Sequence, residues 1–93
     1  MSIDISSHER WFTAFAQKYR AAERQDVKPV DLKIEHTGKV LEHARRIVGE
    51  ERPDSVTARA CLLAALYHDV ARFPQYARWH TFKDSQSVDH GLF

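Results

Sequence analysis

An all-helical fold is predicted by three features of the sequence. No stretch alternates apolar and polar residues with the period of two that a half-buried strand requires, apolar residues recur instead at three- and four-residue spacing, and only three glycines and three prolines interrupt the chain. There is no internal repeat. With 43% apolar and 29% charged residues the chain is ordinary for a globular protein and too apolar for a disordered one. Its 93 residues suffice for one domain, and a chain so short buries only about 60 to 65% of the surface its unfolded form exposes, so the core is small.

The elements follow in order. Ser6 or Ser7 is expected to cap a first helix reaching about Arg24, with Trp11, Phe12, Phe15, Ala16 and Tyr19 as its apolar stripe. A polar break from Gln25 to Lys28 follows. Pro29 suits the first turn of a second helix running to about Val48, which Gly49 should end. Residues 1–28 thus form an N-terminal helical segment, and residues 29–93 carry the remaining helices of the same domain. After the loop Glu50-Glu51-Arg52-Pro53, Asp54 or Ser55 caps a third helix whose body, Ala58 to Tyr67, is apolar on nearly every side apart from Arg59 and so belongs at the centre of the domain. Pro74 disfavours helix at Phe73, so this helix should stop near Asp69 or continue only as a short bent turn. Trp79 to Gln86 reads as a loop, and Ser85 or Ser87 caps a fourth helix, with His90 in its first turns, that has barely begun when the sequence ends at Phe93.

The charge balance excludes several classes of partner. A net charge of +1, with Lys and Arg scattered among Asp and Glu, gives no field for holding DNA or another polyanion. Cys61 is the only cysteine, which rules out an intramolecular disulfide and a thiolate metal cluster and reads as a buried, reduced thiol. Asp4, His8, Glu9 and Arg10 stand where a signal peptide would be apolar, and no run approaches the ~20 residues of a membrane span. A cytoplasmic location is the expectation.

Chemistry is concentrated in Ala64-Ala65-Leu66-Tyr67-His68-Asp69, where an apolar helix finishes in an imidazole and a carboxylate. An anion there faces the negative end of the helix dipole, and taking it out of water without a partner costs several kcal/mol. Something cationic must offset it. One candidate is Arg72, in which case His68 is a core histidine bonded to a backbone carbonyl; the other is a divalent cation, for which imidazole nitrogen and carboxylate oxygen are normal ligands. On the second helix Leu32, His36, Val40, His43 and Ile47 fall within a narrow arc, apolar but for two histidines. A histidine on such a face is most often a satisfied core residue, a reading kept for His43, but His36 beside a neighbouring His-Asp pair points to a metal. His90, preceded by Asp89, is either a ligand for a second metal or a substrate phosphate, or a surface histidine. His80 is expected to stack on Trp79, and His8 to be exposed.

The order His36, then His68-Asp69, resembles the HD superfamily of metal-dependent phosphohydrolases, whose pattern is H…HD…D on a helical bundle. Ile34-Glu35-His36-Thr37, the stretch from Ala64 through His68-Asp69-Val70-Ala71-Arg72-Phe73-Pro74-Gln75-Tyr76, Thr81-Phe82-Lys83-Asp84 and Ser87-Val88-Asp89-His90 all look like one bacterial subgroup of it. The resemblance implies an HD-like bundle of which the sequence holds the part up to the start of the fourth main helix, since the family's closing Asp has no counterpart after His90. It implies His36, His68 and Asp69 as metal ligands, with Asp69 bridging where a second ion is present. Arg72, Lys39 and His90 would contact the phosphate, and Asp69, His90 and Arg72 would serve catalysis. The cofactor would be manganese, iron, nickel, zinc, cobalt or magnesium, and the substrate a small phosphate ester, most commonly a nucleotide. With that closing Asp missing, the chain reads as a fragment of the enzyme, itself inactive, and a fragment would leave apolar helix faces open to a second copy or to domain swapping. Two readings from other classes compete: a binding or regulatory module that kept the fold without activity, and a structural bundle with His68, Asp69 and Arg72 as a buried polar network.

Overall fold

The computed structural model describes residues 3–80, which are all-helical: α1 (Ser6–Ala22), α2 (Lys28–Glu51), α3 (Ser55–Tyr67) and α4 (Arg72–Trp79). The fourth helix expected from Ser85 or Ser87, with His90, lies outside the described residues.

Asp4 prepares the start of α1. Its carboxylate accepts the Ser6 backbone N–H at 2.9 Å and the Ser6 hydroxyl at 2.7 Å, so Ser6 is the first helical residue and not the cap. The helix stops at Ala22, earlier than its periodicity suggests, because the Glu23 carboxylate accepts the backbone N–H groups of Gln25 and Asp26 and turns the chain.

In α2, Pro29 occupies the first turn as expected, but Gly49 does not end the helix. The left-handed residue is Arg52, at φ 50°, whose N–H bonds the Val48 carbonyl at 3.0 Å. Asp54 then caps α3, its carboxylate accepting the backbone N–H of Thr57 at 2.8 Å and the Thr57 hydroxyl at 2.9 Å. A three-residue connection, with His36 from the first half of α2 beside His68 at the end of α3, makes α2 and α3 an antiparallel hairpin.

The clearest departure from expectation is α4. The chain leaves α3 through tight turns, with N–H to carbonyl bonds from Val70 to Tyr67 and from Arg72 to Asp69, and then resumes as a helix. Pro74 is accommodated because it sits in the first turn of α4, where a backbone N–H has no intrahelical acceptor to lose. Packing supplies the reason. Phe73 is 2% exposed and meets three rings of α1, with centroids 5.8 Å from Phe12, 6.1 Å from Phe15 and 6.3 Å from Tyr19. Tyr76 adds a hydrogen bond from its hydroxyl to the Asp26 carbonyl, 2.9 Å long, which ties α4 to the α1–α2 connection.

The core joins Ile5, Phe12 and Ala16 to Val30 and Ala44, Leu62 and Leu66, and Phe73 and Tyr76. The α3 helix is not enclosed on every side by the described residues: Ala58, Leu62 and Leu66 face inward, whereas Val56, Ala60 and Ala64 are exposed. Cys61 is free and only partly buried. His8, expected to be exposed, is half-buried between α1 and α3. Arg59 only donates, so His8 Nε2 accepts from it at 3.3 Å and Nδ1–H donates to the Tyr67 hydroxyl at 2.8 Å.

Two outcomes test this description. A Cβ added at Gly49 meets nothing within 4 Å, so Gly49→Ala should raise stability by about 0.5 to 1 kcal/mol in a denaturant melt; a loss would mean that Gly49 is a left-handed stop after all. The bonds from Thr57 hold the Asp54 carboxyl below the usual aspartate range. Its ionised form is thus favoured by folding, and its contribution is complete above the unfolded aspartate value and disappears as pH falls through the lower folded one. Asp54→Asn, which keeps an acceptor, should be less stable than wild type at neutral pH, with the gap closing on acidification.

Candidate metal centre

The end of α3 sets the first two donors. His68 follows the last residue of the helix with its ring folded back, Nδ1 lying 2.7 Å from the Ala65 carbonyl oxygen. A carbonyl only accepts, so Nδ1 carries a proton, and Nε2 is the ring nitrogen turned toward Asp69. The first turn after the helix brings the Asp69 carboxylate round toward α2, and Oδ2 lies 3.4 Å from His68 Nε2.

The third donor comes from α2. His36 Nε2 is 3.8 Å from the same Oδ2, and the two imidazole rings lie 5.6 Å apart between centroids at 60°. One ligand atom from each of His36, His68 and Asp69 falls within 4.8 Å of the others. Two imidazole nitrogens and a carboxylate oxygen converging on one point suit a transition-metal dication, and the Nδ1–carbonyl bond on His68 is the kind of support that fixes a ligating histidine. The donor set fits the expected ion.

Only Asp69 is buried, at 8% exposure; His36 and His68 are exposed, so the cluster is an open site with one dry wall. Here the sequence reading of α2 needs correction. The arc Leu32, His36, Val40, His43 and Ile47 is the outer side of the helix, with Leu32 63% and Ile47 55% exposed. His43 is likewise exposed and is no core histidine. The packed face runs through Val30, Ile34, Thr37, Leu41, Ala44 and Val48, turned by one residue, about 100°. Two of the three buried residues of that face, Thr37 and Ala44, give a weak hydrophobic signal.

The charge around Asp69 is richer than expected. Lys33, one turn before His36, donates from Nζ to Oδ2 at 3.1 Å. Arg72 Nε lies 3.7 Å from Oδ1, while its Nη1 donates to the Oε1 of the fully buried Gln75 at 2.7 Å. Burial pushes the Asp69 carboxyl up, but the hydrogen bond and charge of Lys33, with the charges of His68 and Arg72, outweigh it and hold the group below the usual aspartate range. Sequence reasoning missed Lys33. Its spacing of three residues from His36 was the available signal.

The remaining candidates are placed as follows. Lys39 is exposed and its ammonium lies 3.1 Å from Glu35. His90 lies outside the described residues. His80 is left-handed at φ 53°, 3.3 Å from Glu23 and against the ring of Tyr76, not stacked on Trp79, which carries the Arg78 guanidinium instead. A cavity of about 610 Å³ opens at the other end of the hairpin between Ile3, Gly49, Arg52, Pro53, Ser55 and Ala58 and includes none of the three ligands. No helix of the described residues is long and apolar enough to cross a membrane.

Comparison with known proteins adds an independent finding. A family model described as HD domain matches residues 34–90, more than half of the chain and a span that includes His36, His68 and Asp69. No curated protein and no solved structure matches. The match and the convergence of a distant histidine on a His-Asp pair lead to one assignment: this chain belongs to the HD-domain family.

Proposed function

We propose that this chain serves metal-dependent hydrolysis of a phosphate ester, with a small nucleotide as the expected substrate class. The observation that supports it most is the convergence of His68 Nε2, at 3.4 Å, and His36 Nε2, at 3.8 Å, on one oxygen of the Asp69 carboxylate. Two imidazole nitrogens and a carboxylate oxygen form a donor set suited to a divalent cation. His36, His68 and Asp69 would hold a divalent ion, which when bound would supply the acidified water and the polarised phosphoryl oxygen that phosphate-ester hydrolysis needs.

The protein's own groups divide the remaining work. Three donors on an open surface leave coordination positions for water and substrate. Asp69 supplies the anionic ligand, and its buried wall strengthens every charge interaction at the mouth of the site. Arg72, fixed by Gln75, presents guanidinium N–H groups that can meet phosphoryl oxygens as their charge grows, a contribution of a few kcal/mol when the donor is preorganised. Lys39, now on Glu35, and His90 are proposed as further phosphate contacts.

A second reading rests on Lys33 and Arg72. These two cations already offset Asp69, as a helical binding module or a structural polar network without metal would require. Metal content separates the readings. Purified protein should carry a transition metal near stoichiometry and hydrolyse a generic phosphomonoester, and His68→Ala should abolish both. A chelator should lower the melting temperature by several degrees, the consequence of removing a ligand that binds only the folded chain. Metal-free protein whose melting temperature ignores the chelator would favour the second reading.

A further inference from the structure

The cation closest to Asp69 is Lys33, and it occupies the oxygen that matters. Its Nζ lies 3.1 Å from Oδ2, the oxygen that stands 3.4 Å from His68 Nε2 and 3.8 Å from His36 Nε2. A dication shared by those three donors and an ammonium on Oδ2 would compete for one oxygen, with like charges side by side against a buried wall. One of them must give way.

The two neighbouring cations differ in how easily they can. Arg72 is anchored by Gln75, which is fully buried, and reaches the other carboxylate oxygen. Lys33 carries its charge on a flexible four-carbon stem, and its side chain retains 22% exposure, so a swing toward water is open to it. We infer that Lys33 is an internal countercation: it holds the Asp69 carboxylate in place while the site lacks metal, is displaced from Oδ2 when the ion enters, and then presents its ammonium to an anionic phosphoryl group at the same mouth. This rests on the metal reading proposed above. It makes Lys33 a positioning residue that sets the order of events, ion before phosphate.

Isothermal titration of wild type, Lys33→Met and Lys33→Arg with Mn²⁺ tests it. Removing the charge while keeping the stem should tighten Mn²⁺ binding by about tenfold or more and lower the melting temperature of the metal-free protein, whereas Lys33→Arg should bind no more tightly than wild type. If Lys33 merely braces Asp69 for the ion, Lys33→Met will bind Mn²⁺ more weakly, and that result, or an unchanged affinity, overturns the inference. A measurement on wild type guards against misfolding of the variants. Amine labelling read by mass spectrometry should find Lys33 protected in chelator and labelled when Mn²⁺ is added, and equal labelling in both states would contradict displacement. Wild type that takes up no Mn²⁺ at all, while Lys33→Met also takes up none, overturns the metal reading together with this inference; Mn²⁺ binding that is indifferent to Lys33 overturns the inference alone.

Discussion

The structure is organised around one carboxylate that has no business being dry. Asp69 closes an apolar helix at 8% exposure, where the helix dipole offers it nothing. Desolvating an anion costs several kcal/mol unless positive charge is brought to it; Lys33 from α2 and Arg72 from α4 answer that demand, and His36 from α2 and His68 from the end of α3 meet at the same carboxylate. The apolar packing of the hairpin holds these groups where they meet. Electrostatics then decides what they can bind.

The fold positions the site through packing remote from it. The α2–α3 hairpin sets His36 opposite His68, and α4 is pinned by Phe73 among the rings of α1. Because Arg72 precedes Phe73, the aromatic anchor also fixes the guanidinium beside Asp69. Core and site are thus coupled through two adjacent residues.

Much of this was legible in the sequence, for reasons that can be named. The three main helices announced themselves by apolar spacing and by Pro29 and Asp54 at their starts, and the His68-Asp69 pair was conspicuous because polar groups are expensive at the end of an apolar helix. The ligand set was reached with a faulty step. The arc containing His36 was read as the packed face of α2, and it is the outer one; the true face was disguised by Thr37 and Ala44. The helix α4 was missed because Pro74 reads as a breaker, although a first-turn proline costs a helix nothing and the rings awaiting Phe73 are invisible in one dimension. Lys33 is hidden in the sequence because it lies 36 residues from Asp69, whereas Arg72 stands three residues away and reads as the natural countercharge. Long-range pairs, such as His8 with Tyr67, leave no local trace at all.

The central claim is that a single dication belongs between His36, His68 and Asp69. It is tested most directly by crystals grown with Mn²⁺ and measured on both sides of the manganese absorption edge. The account predicts one anomalous peak within coordination distance of both Nε2 atoms and of an Asp69 oxygen. A well-ordered site without that peak, with His68 Nε2 and Asp69 bridged by a proton or by Lys33 at saturating Mn²⁺, would contradict it.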